Sequence, residues 1–387
     1  MTHTIALPRL MRIGAGASGE LAAVLASLGL AHPLIVTDRY LADHGLADRL
    51  VAGLAAAGIP SRVFADTVPE PTTASIAAGL VCLAAAPHDC VVGFGGGSPI
   101  DSAKAIAVLG PLGGTAQDYK APHLQDAPGL PIIAIPTTAG TGSEATRFTI
   151  ITDETRDEKM LCAGLAYLPV AALVDYELTL SMPPRLTADT GIDALTHAIE
   201  AYVSRRAHPF SDQAALAAMA AIAPNLRRVW ADPANRPARE AMMFGATMAG
   251  IAFSNASVAL VHGMSRPIGA HFHVPHGLSN AMLLPAITAF SAPAALERYA
   301  ACAVAMGLDV AGLGQQAAVG VLVEELRQLN ADLAVPSPAR HGIDKARWHA
   351  LTPLMAEQAL ASGSPANNPR LASAAEIEAL YAAVWDG

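Results

Sequence analysis

Short apolar runs alternate with alanine-rich helical segments through the first half of the chain. Leu34-Ile35-Val36-Thr37, Val91-Val92-Gly93-Phe94 and Pro131-Ile132-Ile133-Ala134-Ile135 are brief and bounded by turn residues, the pattern of buried strands. Helical patterns fall around and between them, from Gly19 to Leu30, Asp43 to Ala57 and Thr73 to Ala85. That alternation predicts a parallel sheet with helices on both faces. Residues 141–182 are mixed, with one more apolar run at Ala171-Ala172-Leu173-Val174. After Pro183-Pro184 the β-branched runs disappear, and alanine- and leucine-rich helical stretches continue to the end. The reading is an α/β, dinucleotide-binding domain over residues 1–183 and an all-helical domain over 184–387. One uncharged stretch, Ala241 to Val261, is long enough to suggest a membrane span. Thr247, Ser254, Asn255 and Ser257 lie in it and it runs into His262, so it reads as a buried core helix.

Composition narrows the classes. In 387 residues, 52% hydrophobic content provides for a large core and argues against disorder. A net charge of −9, with no long basic run, argues against nucleic acid as a partner. Cys82, Cys90, Cys162 and Cys302 are scattered without C-x-x-C spacing, as expected of buried thiols in a reducing cytoplasm. Arg9, Arg12 and Glu20 interrupt any signal-peptide order at the start, so a cytoplasmic, non-membrane protein is expected.

Chemistry concentrates in Gly191-Ile192-Asp193-Ala194-Leu195-Thr196-His197-Ala198-Ile199-Glu200. Asp193 and His197 are four apart in a helix-compatible stretch, which stacks a carboxylate and an imidazole on one face. Alone, such a pair is more often a solvated pair or a satisfied core histidine. His262 and His276 follow in apolar, glycine-rich surroundings, fourteen positions apart, where a buried imidazole needs partners for its nitrogens. One carboxylate and three imidazoles suit Fe(II) or Zn(II).

Three glycine-bearing loops compete for a phosphate role. Gly14-Ala15-Gly16-Ala17-Ser18-Gly19 matches G-x-G-x-x-G, but Arg9 and Arg12 occupy the place of the buried strand such a loop should follow. It reads as a turn into a helix. Gly93-Phe94-Gly95-Gly96-Gly97-Ser98-Pro99-Ile100-Asp101 follows a clean apolar strand and opens a helix from Asp101 to Leu109, so backbone amides and helix dipole favour a pyrophosphate there. Pro136-Thr137-Thr138-Ala139-Gly140-Thr141-Gly142-Ser143-Glu144 offers hydroxyls to a cofactor, or serves as a capped helix start.

Gly95 to Lys104, Pro136 to Glu144, Gly191 to Glu200, His262-Gly263-Met264, Pro275-His276-Gly277 and Asn368-Pro369-Arg370, taken together, resemble the iron-containing (group III) alcohol dehydrogenase family. That family shares its fold with dehydroquinate synthase and glycerol dehydrogenase. The resemblance implies a nicotinamide-dependent dehydrogenase acting on a small primary alcohol or hydroxy acid, and a homo-oligomer. It implies metal binding by Asp193, His197, His262 and His276, with Fe(II) first and Zn(II) second. Gly96, Gly97 and Ser98 would hold the cofactor's pyrophosphate, and Thr137, Thr138 and Lys159 would contact the rest of it, with Gly95 and Asp101 also among the cofactor-binding residues. Asp38 would accept hydrogen bonds from the adenosine ribose, selecting NAD, or else merely cap the helix starting at Arg39. Lys159, beside Asp157 and Glu158, reads equally as a member of a solvated charge cluster.

Two positions depart from the family's pattern. Glu70 stands before Pro71 where many members have Asn, and Arg266 stands four residues after His262 where many have His. A guanidinium does not relay protons near neutral pH, which would leave His271, His273 or a water chain to do so. Arg266 could bind an anionic group of the substrate, contact the cofactor, or pair with an acid such as Glu200. Two competing readings are a metal- and NAD-using lyase of the dehydroquinate synthase kind and a non-catalytic metal- or nucleotide-binding protein. Such a lyase should place several Lys and Arg around its anionic substrate, yet only Arg266 stands among the ligand motifs.

Overall fold

The computed structural model describes residues 2–156 and 158–386. They divide into two compact units, Ile5–Ser181 and a second built from Met182 onward together with the first residues up to Thr4.

The first unit is a six-stranded parallel sheet. In chain order its strands are β1 (Leu10–Ile13), β2 (Pro33–Asp38), β3 (Arg62–Thr67), β4 (Cys90–Gly95), β5 (Ile132–Pro136) and, after a separate hairpin, β8 (Ala171–Val174). They lie in the order β1-β8-β5-β4-β2-β3. The hairpin pairs β6 (Phe148–Asp153) with β7 (Glu158–Ala163) antiparallel. The helices are α1 (Leu21–Leu28), α2 (Arg39–Asp43), α3 (Leu46–Ala56), α4 (Thr73–Ala84) and α5 (Gly97–Leu112). β4 and β5 are buried at every position, as continuous apolar runs between helical layers should be. β1 and β3 did not announce themselves, because both are edge strands with exposed, charged positions. The helix expected from Asp43 to Ala57 is instead α2 and α3, divided where Gly45 takes a left-handed conformation. The helix expected from Asp101 begins four residues earlier, at Gly97.

The second unit is helical throughout its described residues: α6 (Pro184–Val203), α7 (Pro209–Ala231), α8 (Arg236–Ala256), α9 (Leu260–Phe272), α10 (His276–Ser291), α11 (Leu296–Ala305), α12 (Gln315–Asp332), α13 (Pro338–His341), α14 (Lys345–Ala361) and α15 (Ala374–Ala383), with short 3-10 turns. α6 packs against α7, α8 and α10 and is buried along nearly its whole length. Its polar side chains therefore face the interior. The single core helix expected over Ala241 to Val261 is broken at Ser257, whose φ of 66° ends α8. The two pieces, α8 and α9, meet at 104°, and no single helix among the described residues is long and apolar enough to cross a membrane. Asn367 Nδ2 donates to Ser257 Oγ and to the Val258 carbonyl, fixing the break that sets the direction of α9. Cys90, Cys162 and Cys302 are buried free thiols, and Cys82 is half-buried.

Candidate active site

Asp193 and His197 sit one turn apart on α6. His262 is the third residue of α9, and His276 the first of α10 after the left-handed residue His273 closes α9. The four side chains converge: one ligand atom from each lies within 4.8 Å of the others. Asp193 Oδ1 is at the centre, 3.4 Å from His262 Nε2, 3.7 Å from His276 Nε2 and 3.9 Å from His197 Nε2. Ligand atoms held about 2.1 Å from a tetrahedral cation are separated by about 3.4 Å, so these spacings are near the edges of a coordination shell. Asp193, His197 and His262 are almost completely buried, while the side chain of His276 retains 34% exposure. Burial by itself would raise the Asp193 carboxyl, yet His197, His276 and His262 hold it below the usual carboxylate range. His262 is likewise desolvated, and Asp193 and Glu200 more than offset this, raising its pKa.

The surroundings support the same assignment. The His197 ring stacks on Phe253 at 4.2 Å and on His262 at 4.4 Å, which fixes its plane. Asn280, one turn beyond His276, directs Nδ2 at Asp193 Oδ1 (2.6 Å), His262 Nε2 (3.1 Å) and His276 Nε2 (3.3 Å). One amide group on α10 thus faces the atoms of three of the four converging side chains. A Cβ on Gly277 would stand 2.4 Å from the Asp189 carbonyl oxygen, so only glycine lets α10 approach α6 this closely. The donor set fits a borderline divalent cation such as Fe(II) or Zn(II).

In the α/β unit the C-terminal ends of β2, β4 and β5 carry a second group of residues. The chain order reverses between β2 and β4, the topological switch point at which open α/β sheets bind ligands. Gly95, at φ 151° and packed on Pro99, ends β4, and Gly96 and Gly97 begin α5 beside Thr138 and Thr141. The Thr137 amide donates to the Gly95 carbonyl and ties the second loop to the first. Ser98 Oγ accepts from the Glu70 amide, and Glu70, in a left-handed conformation at φ 56°, pairs with Lys159. Lys159 is therefore no member of a solvated cluster: its side chain is 13% exposed, and Glu158 pairs with Lys120 instead. Asp157 lies outside the described residues.

Two expected cofactor ligands have other commitments. Asp101 takes a hydrogen bond from Ser143 Oγ on Oδ1 and from the Ile150 amide on Oδ2, so both of its oxygens are engaged in bracing the loop from within. Asp38 Oδ1 caps α2 through the Leu41 amide, leaving Oδ2 as its available acceptor. The loop at Gly14 is closed to an anion, because Asp175 accepts from the Gly16 and Ser18 amides and from Ser18 Oγ.

The profile described as "Iron-containing alcohol dehydrogenase" matches residues 8–176, and its C-terminal counterpart matches residues 187–385. The chain belongs to the iron-containing alcohol dehydrogenase family. It is 38% identical to long-chain-alcohol dehydrogenase 1 of Geobacillus thermodenitrificans (strain NG80-2), over 99% of this chain and 97% of that protein. It is 36% identical to the NAD-dependent methanol dehydrogenase of Bacillus methanolicus, over 96% and 97%. Among solved structures, a 1,3-propanediol oxidoreductase superposes with a TM-score of 0.95 at 34% identity, covering 99% of this chain and 100% of that one. The protein is thus a metal-dependent oxidoreductase of alcohols and aldehydes, and the family implies NAD as the redox partner.

Arg266 is half-buried on α9, one turn after His262. Among the described residues no hydrogen bond or ion pair holds its guanidinium; burial lowers its pKa, and Glu200 is the charge that opposes this. Glu200 itself accepts from His262 Nδ1 at 2.7 Å. Sequence reasoning noticed Glu200 only as a possible partner for Arg266. Its spacing of seven from Asp193 and three from His197 was the available signal, since those offsets share one helix face. Asn280, four after His276, carried the same kind of signal.

Proposed function

We propose that the protein is an NAD-dependent alcohol dehydrogenase and aldehyde reductase (EC 1.1.1.-) using Fe(II), with Zn(II) as the alternative. The observation that carries this is the convergence of Asp193, His197, His262 and His276 on one point. When bound, a divalent cation polarises the substrate oxygen and lowers its pKa, and NAD accepts or returns hydride. The chain's own residues supply position and surroundings. Asp193 gives one negative charge and three neutral imidazoles give none, so half of a divalent cation's formal charge stays available to a substrate oxygen. Gly95 and Gly96 bring the end of β4 to the N-terminus of α5, where Gly97 and Ser98 offer the helix's first amides to a diphosphate. Thr137, Thr138 and Lys159 stand beside that loop for the remaining cofactor contacts, and Asp38 Oδ2 for the ribose.

The substrates proposed are small primary alcohols, and Arg266 favours those that also carry an anionic group, such as ω-hydroxy acids. A half-buried guanidinium with five donors and no acceptor among the described residues suits a carboxylate. A homo-oligomer in the cytoplasm is proposed too; buried thiols without disulfides are consistent with that compartment. The lyase reading loses ground, since Arg227 is committed to Glu325 and Asp332. The deciding experiment loads the metal-free protein with Fe(II) or Zn(II), adds NAD and a series of simple alcohols and hydroxy acids, and follows NADH absorbance. Absence of NADH with every alcohol and both metals would sink the proposal.

A further inference from the structure

We infer that Glu200 is a positioning residue of the metal centre, fixing the His262 imidazole so that its Nε2 lone pair faces the cation. The inference rests on the reading of Asp193, His197, His262 and His276 as the metal site. Glu200 projects from the same face of α6 as Asp193 and His197, and it is 3% exposed. A carboxylate so buried is costly unless its lone pairs are met. They are met by three donors: the Val261 amide at 2.6 Å on Oε1, and the Ala259 amide at 2.9 Å and His262 Nδ1 at 2.7 Å on Oε2.

This geometry decides a tautomer. Both Glu200 oxygens already face backbone amide donors and act as acceptors there, so the hydrogen bond to His262 is donated by the ring, with its proton on Nδ1. The other nitrogen, Nε2, is then an acceptor, and it faces Asp193 Oδ1 at 3.4 Å and Asn280 Nδ2 at 3.1 Å. The opposite tautomer would point a proton where a cation needs a lone pair. The two backbone amides hold the carboxylate in place independently of the ring. They also belong to the start of α9, whose N-cap residue Ala259 has no side chain able to cap it. One side chain of α6 thus joins the helix bearing the third ligand to the helix bearing the first two, and sets the third ligand's protonation pattern. Carboxylate–imidazole–metal relays of this kind orient ligands and raise their basicity.

A purely structural Glu200 would cap α9 and nothing more, so the test needs readouts beyond stability. The full-length protein and Glu200→Ala are prepared metal-free and titrated with Zn(II) against a fluorescent chelator. Nitrogen-15 NMR of the histidine rings, assigned with His262→Ala, reports the His262 tautomer before metal is added. The expected result is a Zn(II) dissociation constant about 10–100-fold weaker and loss of the Nδ1–H signature, with helical content retained. An affinity within threefold of wild type, or an unchanged tautomer, overturns the inference even if the melting temperature falls. Should Glu200→Ala fail to fold, Glu200→Gln keeps the volume and one acceptor; Zn(II) binding weakened at least threefold supports the inference, and unchanged binding overturns it. Wild-type protein that takes up no Zn(II) or Fe(II) defeats the metal reading itself, an outcome distinct from equal uptake by wild type and variant.

Discussion

At the residue scale the active site depends on single atoms that have no substitute nearby. His262 supplies Nε2 from a ring packed on His197 and His276 and anchored by Glu200. His262→Ala is expected to abolish metal retention and turnover while secondary structure persists, checked by metal analysis, NADH production and circular dichroism. Full activity in a demonstrably metal-free variant would end the metal mechanism. Arg266 is proposed to act at the same scale on selectivity. A charged hydrogen bond contributes roughly 1.5–3 kcal/mol, so Arg266→Ala should lower kcat/KM for hydroxy acids about 10–100-fold and leave alcohols of matched length nearly unchanged. Equal loss on both series would remove Arg266 from substrate selection.

At the element scale the spacing between helices and the bracing of loops become decisive. Gly277→Ala places a Cβ 2.4 Å from the Asp189 carbonyl oxygen, and α10 must move off α6 to admit it. Overpacking of this kind costs about 1–3 kcal/mol, but separation of His276 from Asp193 should weaken Zn(II) binding in addition. Equilibrium unfolding set beside Zn(II) titration separates the two effects, and unchanged metal affinity would refute the account. Lys104, on α5, is fully buried and donates to the Thr146 carbonyl, Thr146 Oγ1 and the Phe148 carbonyl, tying α5 to the start of β6. Burial lowers its amine from the usual 10.5 to about 8 against the pull of Asp101 and Glu144. Between those two values the unfolded chain keeps a proton that the folded chain has released, so the Lys104 contribution to stability rises with pH. Below pH about 8 both states are charged and the burial cost is present in full. Urea unfolding of wild type and Lys104→Met should give a difference in favour of wild type that grows as pH climbs past 8; a flat difference would contradict the linkage.

At the scale of the whole molecule, two units divide the chemistry: a parallel sheet with its switch point between β2 and β4, and a helical unit that concentrates buried ligands. Asp38 ends β2 and the glycine loop ends β4, so a nucleotide at the switch point would meet a carboxylate on one side and helix amides on the other. A ribose 2′-phosphate is repelled by such a carboxylate. We therefore expect kcat/KM to favour NAD over NADP, and Asp38→Gly to narrow the gap by raising NADP turnover. A wild-type preference for NADP would refute the assignment.

The sequence by itself determined the elements with strong internal patterns. β4 and β5 are continuous apolar runs, and the ligands Asp193 and His197 show their shared helix face through i, i+4 spacing. Edge strands β1 and β3 were silent because a half-exposed strand tolerates charges such as Arg12 and Arg62. The break at Ser257 was silent as well, since a non-glycine left-handed residue leaves no compositional mark and is held by Asn367, 110 positions away. The sequence already set the Gly14 loop aside through Arg9 and Arg12, but what closes it is a tertiary contact, since Asp175 reaches it from 157 positions on. Glu200 and Asn280 entered the site for the same reason. Hydrogen bonds such as Glu200 to His262 join residues 62 positions apart, and only the folded chain brings those donors and acceptors within reach.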